Sequence, residues 1–151
     1  MKNMDFNKRV VTDSNAEQWV ASPKPGVWRR PLSSENAERG HATSVVRYEP
    51  GATSSSHGHP LGEEILVLSG TFSGETGDYG VGTYFRNLEE FSHAPFSEEG
   101  CEIFVKLHQF SPGDDTHVCI DAQNVAWQPG LGNLKVMPLH QFESEYVALV
   151  R

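Results

Sequence analysis

Cysteine is scarce. The 151 residues hold two, Cys101 and Cys119, far apart and outside any CxxC pair. That is too few for a disulfide-dense scaffold. The opening residues 1–11 are charged and lack the apolar run of a secretory signal. This start favours a reducing cytoplasm, with both cysteines as buried thiols; Cys101 opens the apolar run Ile103, Phe104, Val105. Basic residues are also few. Twelve Lys and Arg against twenty Asp and Glu leave a formal charge of −8. No basic face is available for nucleic acid, nor for an anionic membrane surface. No stretch approaches the roughly 18 apolar residues of a membrane span. Nowhere does the pattern sustain a long amphipathic helix.

What is present is enough for a core. Hydrophobic residues make up 37% and aromatics 10% of the chain, well above a disordered composition. The 14 glycines and 9 prolines are spread along the whole length. They read as turns between many short strands, and the length fits one domain. Residues 8–11 are a strand candidate, followed by a short helical turn at Glu17, Gln18 and Trp19. Pro23 and Pro25 then exclude regular helix. From residue 42 onward the signals are β: residues 43–48, 64–68, 71–73, 83–86, 102–110 and 116–120 are strand candidates. Breaks recur at the spacing of a sandwich or barrel. Ser69 and Gly70 read as a hairpin turn. A faint repeat links Pro25-Gly26, Pro31-Leu32 and Val45-Val46-Arg47 to Pro129-Gly130, Pro138-Leu139 and Leu149-Val150-Arg151.

The chemistry concentrates in residues 51–70, GATSSSHGHPLGEEILVLSG. His57 and His59 are two apart, so on a strand they share a face. Glu63 follows beyond a turn at Pro60, Leu61 and Gly62. Neutral imidazole and carboxylate suit zinc, iron, manganese or nickel. An HxH pair alone equally describes two surface histidines beside a Ser-rich loop. The full spacing is more demanding, since Gly51, His57, His59, Glu63 and Gly70 match the first signature of the cupin superfamily at every fixed position. The second signature is looser. Gly80 replaces its usual proline, Gly82 keeps its place, and the histidine is displaced to His93 by an insertion over residues 86–92.

That insertion, with the stretches HxHxxxEEILVLSGTFS, GDYGVGTYFRN, SHAPFSEEGCEIFVKL and TSVVRYEPG, resembles the ChrR-like cupins. These are the cupin-like domains of zinc anti-sigma factors and their stand-alone relatives, near the acetylacetone dioxygenase-like cupins. The resemblance covers about residues 10–120. It implies an all-β single cupin, a double-stranded β-helix or jelly-roll barrel, with N- and C-terminal extension strands. Residues 1–40 form a lead-in, 41–124 the barrel, and 125–151 a strand segment that would start a second cupin repeat. It implies a metal on His57, His59, Glu63 and His93, with zinc first and Fe(II), Mn or Ni as alternatives. It also implies a small-molecule ligand in the barrel and a sensory or regulatory role. The alternative is an Fe(II) dioxygenase cleaving a small diketone or related carbonyl compound. Two departures bear on this. The chain has no HxxxCxxC motif, so a sigma factor is not an expected partner. Glu63 adds a carboxylate to what resembles, in the dioxygenases, a three-histidine site.

The remaining polar residues draw blander readings. Glu64 is expected to face outward or to join a rim salt bridge, and Arg86 to make a plain salt bridge. His41, His108, His117 and His140 lack partners at ligand spacing and read as surface or rim groups. Tyr79, Tyr84, Phe85 and Phe104 read as core aromatics. No Ser/His/Asp ordering or phosphate loop marks another catalytic class, and catalytic residues stay unassigned. The tail from Tyr146 to Val150 is apolar and uncharged. A free edge of that composition recruits another strand, so a homodimer held by the tail or the lead-in is expected.

Overall fold

The structure is a computed structural model, and it describes residues 1–36, 40–55, 58–88 and 94–151. In chain order the strands are β1 (Val20–Ala21), β2 (Val27–Ser34), β3 (Ala42–Tyr48), β4 (Ala52–Thr53), β5 (Glu63–Gly70), β6 (Phe72–Gly74) and β7 (Gly77–Tyr79). They continue as β8 (Thr83–Asn87), β9 (Phe96–Ser97), β10 (Cys101–Leu107), β11 (Val118–Asp121), β12 (Gln128–Pro129), β13 (Lys135–Phe142) and β14 (Glu145–Val150). Among the described residues the one helical element is a 3-10 turn, Ala122–Asn124, where the Asp121 side chain accepts from the Gln123 N–H.

Three sheets result. A seven-stranded sheet has the order β1-β2-β3-β10-β5-β8-β11. A four-stranded sheet, β4-β9-β6-β7, covers one face of it. Between them lies the main core: Val46, Tyr48, Ile65, Val67, Phe72, Phe85, Ile103 and Val105. The alternation is that of paired strands. Ile65 and Val67 of β5 point into this core, while Leu66 points the other way. Phe85 of β8 points in, while Tyr84 points out. This two-sheet antiparallel arrangement fits the spacing of a sandwich or barrel and is the jelly-roll that the resemblance implies. The third sheet, β12-β13-β14, lies on the opposite face of the large sheet. There Met137 and Leu139 bury themselves against Tyr84, Leu66, Val118 and Ile120.

Several local expectations are corrected. Residues 8–11 carry no strand, and in place of a helical turn at Trp19 there is a turn at 14–16, where Ala16 donates to the Asp13 carbonyl. Ser69 and Gly70 do not make a hairpin. β5 and β6 belong to different sheets, and Gly70 (φ +69°) is the corner at which the chain changes layer. β10 stops at Leu107 instead of reaching Phe110, because His108 takes a left-handed conformation, φ +58°. Cys101 is buried as expected, but Cys119 is exposed.

The faint repeat has a structural counterpart. β1-β2-β3 and β12-β13-β14 are both antiparallel meanders. In each, the register slips at one residue after a proline: between Pro31 and Ser33, and between Pro138 and His140. Arg30 opposite Val45 corresponds to Met137 opposite Leu149. The Pro25-Gly26 and Pro129-Gly130 pair does not align, since Pro129 lies in β12 whereas Pro25 follows β1 in a turn.

Candidate metal centre

The turn before β5 sets the geometry. Leu61 and Gly62 are both left-handed, with φ of +55° and +76°, and Gly62 N–H donates to the His59 carbonyl at 3.0 Å. The stretch just after β10 pins this turn from the side. His108 N–H donates to Gly62 O, and Phe110 N–H to Leu61 O, both at 3.1 Å. Only glycine fits at 62, because a Cβ there would run into the Phe110 ring. The turn delivers Glu63 as the first residue of β5, pointing to the barrel interior. His59 lies just before it in a segment that is not a strand.

His59 and Glu63 converge. His59 Nε2 lies 3.3 Å from Glu63 Oε1, and their side chains are 16% and 6% exposed. Asn87, the register partner of Glu63 on β8, donates Nδ2 to Glu63 Oε2 at 3.1 Å. One carboxylate oxygen is thus held by Asn87 and the other is turned toward His59. Burial pushes the Glu63 carboxyl up to about 7, and the Asn87 hydrogen bond only partly offsets it. A carboxylate in that position gains most from a cation. The donor set fits one. Ligand bonds of about 2.0–2.2 Å meeting at a tetrahedral angle put neighbouring N and O atoms about 3.4 Å apart, close to the separation found. Among the described residues no three His, Cys, Asp or Glu side chains gather at one point. The other two expected ligands, His57 and His93, lie outside the described residues.

Three residues join the site that motif spacing did not single out. Asn87 is the last residue of the YFRN stretch, and its role follows only from the β5–β8 register. His108 stands edge-on to His59, with ring centroids 6.3 Å apart at 74°. His117 lines a cavity of about 80 Å³ beside Asn87, with Phe72, Tyr79, Phe85 and Cys119 around it. His117 just precedes the edge strand β11 and Cys119 lies within it; two apart and both exposed, they share the side that lines this cavity. The strand alternation was the available signal.

Behind the site, on the outer face of the same two strands, lies a second polar cluster. Glu64 is register partner to Arg86 as Glu63 is to Asn87. Arg86 is fully buried. Its Nη1 lies 2.8 Å from Glu64 Oε1 and its Nη2 lies 2.6 Å from Asp114 Oδ2. Tyr84 donates to Glu64 Oε1 at 2.5 Å, and Asp114 Oδ2 is 2.9 Å from His140 Nε2. The guanidinium sits 3.9 Å above the Phe110 ring. The ion-pair readings of Arg86 and Glu64 hold, and Glu64 does face away from the barrel interior, but the pair is buried, with Glu64 4% exposed, instead of lying at a rim. His140 is likewise no surface group, with its side chain 5% exposed. The C-terminal sheet covers what would otherwise be an outer surface.

The sequence pattern described as the ChrR cupin-like domain matches residues 7–111 of this chain. The chain belongs to the ChrR cupin-like family. Solved cupins repeat its fold. The anti-sigma factor ChrR, in complex with SigE from Rhodobacter sphaeroides, is 24% identical with a TM-score of 0.54. That match covers 62% of this chain and 50% of ChrR, so this family member spans half of the ChrR chain it matches. A candidate dioxygenase from Nostoc punctiforme is 16% identical over 86% of this chain and 55% of its own, with a TM-score of 0.68. A candidate acetylacetone dioxygenase from Methylibium petroleiphilum is 14% identical over 77% of this chain and 92% of its own, with a TM-score of 0.60. At these identities the likenesses establish the cupin fold. No curated protein matches. No helix among the described residues is long and apolar enough to cross a membrane.

Proposed function

We propose that this cupin holds one zinc ion on His57, His59, Glu63 and His93, and works in the cytoplasm as a small-molecule-binding sensory or regulatory module. The observation that carries the reading is the buried approach of His59 Nε2 to Glu63 Oε1 at 3.3 Å, with Asn87 orienting the carboxylate. Four protein ligands around a redox-silent ion leave it suited to holding structure and polarising a bound ligand. The cavity lined by Asn87, His117 and Tyr79, next to the Asn87–Glu63 hydrogen bond, supports a ligand site there.

The test is metal analysis of protein purified without added metal, followed by oxygen uptake of the iron-loaded form with small diketones. The expected result is one equivalent of zinc and no oxygen consumption. Iron as purified, with diketone-dependent oxygen uptake, would overturn the sensory reading in favour of a dioxygenase. Glu63→Gln should release most of the metal. Asn87→Ala should weaken metal binding by about 10–100-fold, as losses of outer hydrogen-bond partners do. Competition with a chromogenic chelator reads both.

A further inference from the structure

β14 has a partner on one side only. It pairs with β13, and among the described residues no strand lies along its other edge. Lys135 and Arg151 exchange both backbone hydrogen bonds, at 2.8 and 3.0 Å. The alternation of an antiparallel pair then fixes the rest of β14, because the register slip adds its extra residue to β13 and leaves β14 regular. The N–H and C=O groups of Tyr146, Ala148 and Val150 point to the open edge. The same edge is filled in the matching meander. β3 corresponds to β14 residue for residue, Ser44 to Ala148 and Val46 to Val150, and it takes β10 antiparallel along its far side.

Nothing along β14 guards that edge. Between Glu145 and Arg151 there is no charge, no proline and no bulge. Tyr146 and Val150 are 71% and 57% exposed. A second copy of the same strand fits it. Antiparallel pairing about a two-fold axis through Ala148 sets Tyr146 opposite Val150 and Ala148 opposite itself. All three edge-facing residues then exchange hydrogen bonds. The same register sets Glu145 opposite Arg151 at both ends, so each seam end carries a pair of opposite charges, although Glu145 also lies 3.6 Å from Arg86 Nη1 and Arg151 over the Trp127 ring.

We propose that β14 is the seam of a homodimer, joined antiparallel to β14 of a second copy about Ala148, so that the two three-stranded sheets become one of six strands.

Light scattering at micromolar concentration should give about twice the 16.7 kDa of one chain. Two substitutions test the register. Ala148→Cys, in a Cys119→Ser background, meets its own copy at a Cα separation of about 5.5 Å, inside the range a disulfide spans. Mild oxidation should therefore lock it as a covalent dimer, while Leu149→Cys, which opposes residue 147, should not self-link. Arg151→Glu should weaken self-association, on the order of tenfold, by setting like charges opposite each other at both ends. A mass of one chain would overturn the proposal. So would a dimer that ignores the charge reversal and shows no self-linking at residue 148, since its interface would lie elsewhere.

Discussion

Glu63 and Glu64 are neighbours in sequence and sit in different worlds. Both are buried, at 5% and 4% exposure. One faces the barrel and a histidine. The other faces a guanidinium, a phenol and the C-terminal sheet. The outer cluster balances Arg86 against Glu64 and Asp114, with Glu145 Oε1 farther off at 3.6 Å. Removing the arginine leaves two buried carboxylates with only Lys106, 3.8 Å from Glu64, and His140, 2.9 Å from Asp114, beside them. Arg86→Ala should therefore cost about 3–5 kcal/mol of stability in urea denaturation. Asp114 gives a sign that can be checked. Burial raises its carboxyl, but the His140 hydrogen bond and the Arg86 charge outweigh this and hold it below the usual range. A carboxyl depressed in the folded state contributes stability above its unfolded value and loses it as pH falls through its folded value. Asp114→Asn should start less stable at neutral pH and lose less on acidification than the parent. Equal slopes for the two proteins in an acid titration of the unfolding midpoint would show that Asp114 does not carry this effect.

At the scale of elements, the strands were legible where apolar runs ended at glycine or proline. β3, β5, β8 and β11 fall within a residue or two of their sequence expectations, and the motif spacing alone brought His59 and Glu63 to the same place. What stayed hidden was the direction of the chain after each strand. Glycine with positive φ serves a hairpin and a change of sheet equally well, so Gly70 alone does not give the direction of the chain beyond it. The fate of Glu64 was hidden for a related reason. Period-two alternation assigns it to the outer face of β5, but says nothing of a further layer covering that face. Asn87 required the β5–β8 register, which no local pattern gives. The Gly70 corner yields a paired prediction. Gly51 and Gly70 share a left-handed backbone, with φ of +80° and +69°. A Cβ at 51 meets open space, whereas at 70 it would collide with the Gly100 carbonyl and the Cys101 backbone. Gly51→Ala should cost about 1–2 kcal/mol, the conformational term alone. Gly70→Ala should cost clearly more, by at least about 2 kcal/mol, since neither backbone can yield cheaply. Similar unfolding midpoints for the two variants would mean that the corner is looser than its geometry.

The whole molecule uses its large sheet on both faces. The barrel core lies on one side, and Met137, Leu139 and Tyr84 lie on the other. β5 and β8 belong to both layers at once. Their inward residues hold the candidate metal centre, and their outward residues hold the C-terminal sheet through Leu66, Tyr84 and the Arg86 cluster. An appended segment would unfold separately from the barrel; a layer sharing two central strands with it should not. Met137 separates these cases. It is fully buried at the centre of the outer layer, with no described contact to the barrel interior. Met137→Ala should cost about 2–5 kcal/mol through lost burial and the cavity left behind. If the two layers form one cooperative unit, amide hydrogen exchange should lose the same free energy of protection in β10, inside the barrel sheet, as in β13. Loss confined to β12, β13 and β14, with β10 unchanged, would make the C-terminal sheet an independently melting layer. The outer ionic cluster would then have no bearing on the order of the strands that carry Glu63 and Asn87.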